Sequence, residues 1–128
     1  MRLLLDTHAL LWWLAGDERL SGAARAAIGE PASTVLVSAA SAWEIATKHR
    51  LGKLPGAAAV AHDLAGCITG QGFAALPISF AAAARAGGLA GSHRDPFDRM
   101  LIAQALGEDL TLVSNEVLFD GYGVRRLW

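Results

Sequence analysis

Five acids stand at points of this sequence where side chains from distant segments could meet: Asp6, Glu44, Asp95, Asp98 and Glu116. Asp6 ends the apolar run Leu3-Leu4-Leu5, and Glu116 comes just after Thr111-Leu112-Val113-Ser114. Glu44 lies early in the segment that follows Thr34-Val35-Leu36-Val37-Ser38, while Asp95 and Asp98 open the largely apolar run from Met100 to Leu106. Carboxylates gathered in one cleft repel one another, and their pKa values rise unless a cation is present. A divalent ion removes that conflict. Oxygen-only donors, without a Cys or His cluster, select a hard ion, Mg²⁺ or Mn²⁺, over zinc. An ion held in this way serves phosphoryl chemistry, because it polarises a phosphate, activates a water and shields the leaving oxygen.

Whether the acids meet depends on the elements that carry them. Short apolar runs without polar alternation suit strands buried on both faces, the pattern of parallel sheets. Strands are expected around Leu3–Leu5, Thr34–Ser38, Phe73–Leu76 and Thr111–Ser114, with a last edge strand within 123–128. Helices are expected over Thr7–Leu14, Gly22–Ile28, Ala39–Leu51, Pro55–Gly70, Ser79–Ala86 and from Pro96 to the glycine at 107. The alternation predicts a three-layer α/β/α sandwich with a central, mostly parallel sheet, in one domain spanning 1–128. In such sheets the functional crevice lies beyond the carboxyl ends of the strands. The acids would then share one edge.

Each acid also has a plainer explanation. Asp6 suits an N-cap, and Asp95 another, with Pro96 at the first helical position and Asp98 in the first turn. Ser41-Ala42-Trp43-Glu44 has the form of a capping box, and Glu44 and Lys48 are spaced as a surface ion pair. Against this, the helix after Pro96 is apolar almost all round and must be largely buried, so a charge in its first turn calls for a cation. His8 and His93 lie near the same edge and could assist proton transfer or merely bond to helix starts. The glycine-rich stretch Gly87–Ser92 follows a helix and lacks phosphate-loop spacing, so it reads as a flexible connector. Trp12 and Trp13 cannot both face one side of a helix, and one is expected to face a partner chain.

Composition narrows the function classes. At 53% hydrophobic residues and a net charge of −1, the 128-residue chain is globular and lacks the basic face that grips duplex DNA. No apolar run is long enough to span a bilayer, and no signal peptide is evident, so the cytoplasm is the expected location. Cys67 has no partner for an internal disulfide and reads as a small buried hydrophobe. Asp6-Thr7-His8 stands where a nucleotide-binding Rossmann module would carry a glycine-rich turn, which disfavours that class. A phosphotransferase with Asp6 as nucleophile is a further use of the same acid.

Four blocks carry a resemblance that spans essentially the whole chain: Leu5-Asp6-Thr7-His8-Ala9-Leu10-Leu11-Trp12; Ser38-Ala39-Ala40-Ser41-Ala42-Trp43-Glu44-Ile45; His93-Arg94-Asp95-Pro96-Phe97-Asp98-Arg99 with the helix to Ala105; and Leu112-Val113-Ser114-Asn115-Glu116 with Phe119 and Tyr122-Gly123-Val124. In order and spacing they resemble PIN-domain ribonucleases, and more closely the VapC toxins of bacterial type II toxin-antitoxin pairs. The resemblance implies a Mg²⁺-dependent endoribonuclease, with Mn²⁺ able to substitute, that cuts RNA and is silenced by a cognate antitoxin. It assigns metal binding to Asp6, Glu44 and Asp98, with Asp95 beside the third acid either supporting the ligands from outside or replacing Asp98 as a ligand. Glu116 falls at the fourth acidic position, where the family usually has Asp, and Ser114 replaces its Thr. It further implies a homodimer and no membrane association. Lys48, Arg50 and Arg99 are expected to hold the RNA backbone. The contrasting expectation is a catalytically decayed PIN-like protein-binding domain whose acids are only caps.

Overall fold

The computed structural model describes residues 1–128. Its centre is a five-stranded sheet of β1 (Arg2–Leu5), β2 (Thr34–Ser38), β3 (Ala74–Leu76), β4 (Thr111–Val113) and β5 (Arg125–Leu127). The strand order is β3-β2-β1-β4-β5, and every pairing is parallel. The chain moves outward from β1 through β2 to β3, then crosses back to place β4 on the other side of β1. Between β1 and β4 the direction of winding reverses, and parallel sheets open a crevice at such a point.

Seven helices fill the connections: α1 (Thr7–Ala15), α2 (Gly22–Gly29), α3 (Ala39–Arg50), α4 (Ala58–His62), α5 (Leu64–Gly70), α6 (Phe80–Gly88) and α7 (Pro96–Glu108). A 3₁₀ turn covers Val117–Tyr122. Alternation along the strands splits the core in two. Leu3, Leu5, Val35 and Val37 pack with Leu10, Ala24, Ile28, Ile45 and Ile68 on one face of the sheet. Leu4 and Leu112 pack with Leu101, Ile102, Ala105 and Phe119 on the other. The result is the three-layer α/β/α sandwich expected from the sequence. Leu3, Leu4 and Leu5 have no exposed surface, and burying each such side chain stabilises the fold by about 1.5–3 kcal/mol. That burial fixes β1, and with it the position of Asp6.

Two local expectations need correction. The segment 55–70 is not one helix: Asp63 leaves helical geometry (φ −146°, ψ 68°), and its side chain caps α5 by accepting from Gly66 N–H. The helix starting at Pro96 runs one residue past Gly107 and ends where Asp109 takes a left-handed conformation, φ 55°. Trp12 and Trp13, each left partly exposed, also make contacts inside the chain. Trp12 packs on Trp128 and lies under the Arg19 guanidinium, while Trp13 packs on Phe73 and donates to Gln71 Oε1 at 2.9 Å.

Buried polar contacts tie the helices to the strand ends. Ser38 ends β2 and caps α3, accepting from Ala40 N–H. Its hydroxyl also donates to Gln104 Oε1 at 2.5 Å, and Gln104 Nε2 donates to the Pro77 carbonyl. One buried side chain on α7 thereby joins the carboxyl ends of β2 and β3, and both of its polar atoms are satisfied.

Candidate active site

Asp6 leaves β1 as the N-cap of α1, and its Oδ1 accepts from Ala9 N–H at 2.7 Å. Asp95 caps α7 in the same manner, with Oδ1 accepting from Phe97 and Asp98 N–H at 2.8 and 3.3 Å. Glu116 caps the 3₁₀ turn after β4, accepting from Leu118 N–H at 3.2 Å. The helix-cap explanation therefore holds for these three. A cap bond engages one carboxylate oxygen, and an ionised carboxylate has two, so a capping acid can also serve a cation.

Glu44 is different. A capping box with Ser41 does not form, because α3 already starts at Ala39 with Ser38 as its cap. Instead Glu44 is buried: Oε1 accepts from Thr7 Oγ1 at 2.5 Å, and Oε2 pairs with Lys48 Nζ. Thr7 Oγ1 is also 3.1 Å from Ser41 Oγ. The first residue of α1 is in this way bound to the acid of α3.

Asp98 lies in the first turn of α7 and caps nothing. Burial, then the charges of Asp95, Glu44, Asp6 and Glu116, push its pKa up to about 7. All five acids singled out in the sequence thus act on one region of space at the carboxyl edge of the sheet. Asp6 is raised as well, chiefly by burial and slightly by Glu44, while the Ser114 hydroxyl, the Ala9 amide and His8 pull the other way. Burial works against the charge of Lys48, but Glu44, Asp95 and Asp98 hold its pKa above the ordinary lysine value. His93 Nε2 is 3.1 Å from Asp98 Oδ2 but off the line of a hydrogen bond, and His93 Nδ1 is 3.4 Å from Asp95 N.

The three basic residues expected to hold RNA differ in what they already do. Lys48 is engaged by Glu44. Arg99 donates to the carbonyls of Ala86, His93 and Leu89, so its guanidinium fastens the 86–93 segment to α7. Arg50 is exposed at the end of α3. The connector Gly87–Ser92 is accordingly tied to α7 at both of its flanks and at Leu89. Gly91 belongs to the same clasp: at φ 109°, a Cβ there would come within 2.5 Å of the Tyr122 hydroxyl, which accepts from His93 N–H. Sequence reasoning missed Thr7 as the partner of Glu44, and Ser41 as a partner of Thr7. The only signal was their hydroxyl chemistry next to two strand ends.

As the side chains stand, no three His, Cys, Asp or Glu residues are arranged to hold a metal ion together. Their chemistry nevertheless fits a hard divalent cation: Asp98 feels the charges of the other four carboxylates, its pKa and that of Asp6 are raised, and Lys48 is the ammonium among them.

A family model for the PIN domain matches residues 3–123, and the chain belongs to that family, which is of the nuclease class. No curated protein matches it in sequence. Among solved structures it is similar to VapC20 of Mycobacterium tuberculosis, a sarcin-ricin-loop-cleaving toxin, with a TM-score of 0.68, 17% identity and coverage of 95% of each chain. It is also similar to a chain of VapBC-1 from nontypeable Haemophilus influenzae, with a TM-score of 0.67, 14% identity and coverage of 99% of this chain and 97% of that one. A chain of VapBC2 from Rickettsia felis, bound to a DNA fragment from their promoter, gives 0.64 at 13% identity, covering 99% and 98%. No helix is long and apolar enough to cross a membrane.

Proposed function

We propose that this chain is a divalent-metal-dependent endoribonuclease acting as the toxin of a toxin-antitoxin pair, with residues 1–128 forming one PIN-like nuclease domain that works in the cytoplasm. The observation that carries the proposal is the facing of Asp98 by Asp95, Glu44, Asp6 and Glu116 at the β1/β4 switch point. Membership of the PIN family supports the nuclease reading. Asp6, Glu44 and Asp98 would hold Mg²⁺, with Mn²⁺ a substitute. Asp95 and Glu116 complete the site through the oxygens their cap bonds leave unused.

When bound, the ion would polarise the scissile phosphate and activate the attacking water. The protein's own part is positional. Thr7, itself in contact with Ser41, orients Glu44; the Ala9 amide orients Asp6, with the Ser114 hydroxyl favouring its charged form; and the Asp95 cap fixes the first turn of α7. His93, beside Asp98, stands where it can exchange a proton with that acid. Arg50 supplies an exposed cation for the RNA backbone, and Lys48 becomes a second once released from Glu44.

The proposal includes two protein partners, a second copy of the chain and an antitoxin that silences the site. Trp43 and Phe80, 62% and 93% exposed, are apolar surface that such partners would cover. The similar VapBC structures support the antitoxin. Incubating the purified chain with end-labelled RNA in Mg²⁺, Mn²⁺ or chelator, beside Asp6→Asn, tests the enzyme. Cleavage by the wild type in either ion, abolished by chelator and by Asp6→Asn, is expected. Equal cutting by both proteins, or none in either ion, would leave the decayed binding domain as the better reading.

A further inference from the structure

At the middle of the carboxylate edge stands an ammonium. Lys48 reaches back one turn along α3 so that Nζ pairs with Glu44 Oε2, while Thr7 Oγ1 occupies Oε1 at 2.5 Å. Both Glu44 oxygens therefore have partners, and the glutamate side chain is only 5% exposed. Lys48 also feels the charges of Asp95 and Asp98. Other cations have partners of their own: Arg19 pairs with Asp17, Arg125 with Asp109, Arg99 with three carbonyls, and Arg126 with Asp120 and the Ser114 carbonyl, though Arg126 also feels the charge of Glu116. Lysine suits an exchangeable role, being a compact charge on a flexible four-carbon stem with none of the fixed fork of arginine.

Glu44 Oε2 has a second lone pair, but a divalent ion and Nζ on the same oxygen would stand within a few ångströms of each other and repel, so ion binding favours the state in which Nζ has moved away. Resting on the metal reading above, we infer that Lys48 is a tethered counter-cation of the carboxylate edge, which competes with the divalent ion for Glu44 and is displaced when the ion binds. The lysine offsets repulsion among the acids in the ion-free fold and sets a threshold on ion affinity. Its release turns ion binding into a signal that frees one positive charge beside the site.

The two possible roles of Lys48 move ion affinity in opposite directions. A lysine that only positions Glu44 would weaken ion binding when removed, whereas a competitor would strengthen it. Mn²⁺ titration of the whole chain, followed by the electron paramagnetic resonance of free Mn²⁺, compares wild type, Lys48→Gln and Lys48→Arg at one pH and ionic strength. Lys48→Gln is expected to bind Mn²⁺ about threefold to tenfold tighter and to melt at a lower temperature in chelator, with Lys48→Arg close to wild type. Equal or weaker binding by Lys48→Gln overturns the inference while leaving the metal reading intact. Absence of Mn²⁺ binding by the wild type overturns both. A readout that needs no variant is the ¹⁵N resonance of the wild-type Lys48 ammonium. Its protection from exchange should be lost on Mg²⁺ saturation, and a resonance untouched by Mg²⁺ contradicts the displacement.

Discussion

Acids at the carboxyl edge of the sheet and acids elsewhere on the surface are treated in opposite ways. Asp17, Asp109 and Asp120 each have their own arginine, at 2.7 Å from Arg19, 2.8 Å from Arg125 and 2.8 Å from Arg126. Hydrogen bonds from Arg19 hold Asp17 down at about 2, and Arg126 lowers Asp120. At the edge, none of Asp6, Glu44, Asp95, Asp98 and Glu116 has an arginine paired to it: Lys48 pairs with Glu44, His93 is imperfectly aligned on Asp98, His8 and Arg126 act on Asp6 and Glu116 only through their charge, and the pKa values of Asp6 and Asp98 move up. The chain has 11 lysines and arginines against 12 acids, so the shortage at the edge is one of placement and not of supply. A folded protein tolerates such an arrangement when something outside the chain supplies the missing charge.

The sharpest way to break this comparison is to neutralise one acid from each region. Asp6→Asn or Asp98→Asn should lower RNA cleavage at least about a hundredfold, the scale expected for a lost ligand when outer-shell losses alone reach 10–100-fold. Asp120→Asn should leave the cleavage rate unchanged. A steady-state assay on labelled RNA decides, and equal losses in all three variants would erase the distinction between the regions.

Next in size is the clasp under the site. Arg99→Ala orphans three carbonyls of the 86–93 segment, which carries His93 and leads to Asp95, and should destabilise the protein by about 2 kcal/mol. Urea denaturation measures it. A change within error would mean that the 86–93 segment is held by other contacts.

The pH response sharpens the comparison further. Asp98 titrates at about 7 when folded against 3.8 in its ordinary state, so the folded chain holds that proton more tightly than the unfolded chain. The stabilisation is fully present below the unfolded pKa and is lost as pH rises through 7. In chelator, the melting temperature should therefore fall between weakly acidic and weakly alkaline buffer. The fall should be smaller in Asp98→Asn and in saturating Mg²⁺. Asp17 has the opposite sign: its depressed pKa favours the fold above the ordinary carboxylate range, and that contribution disappears as pH drops toward 2. Arg19→Ala, removing an exposed pair, should shift the melting temperature least of all and cleavage not at all.

Much of this was legible in the sequence because the strands are short, apolar and followed at once by an acid or hydroxyl. Leu3-Leu4-Leu5-Asp6 announces both the buried strand and the edge it points to. What escaped reading were contacts between segments. The pattern of Ser41 and Glu44 matches a capping box, but helix α3 starts earlier, and Thr7, 37 residues away, takes the carboxylate. Lys48 has the spacing of a surface pair and is one, yet its partner is buried, which no local pattern encodes. The break at Asp63 was hidden because flanking alanines favour helix on both sides, while an Asp cap contact decides the local geometry. The stretch Gly87–Ser92 carries no signal of the Arg99 contacts that hold its Leu89 carbonyl and those of the flanking Ala86 and His93.

The most direct measurement is a crystal of the wild-type protein soaked in Mn²⁺ and examined at the manganese absorption edge. An anomalous peak ligated by oxygens of Asp6, Asp98 and Glu44, with Lys48 turned away, is the predicted result. Carboxylates unmoved and no peak among them, at Mn²⁺ concentrations that support cleavage, would contradict the account.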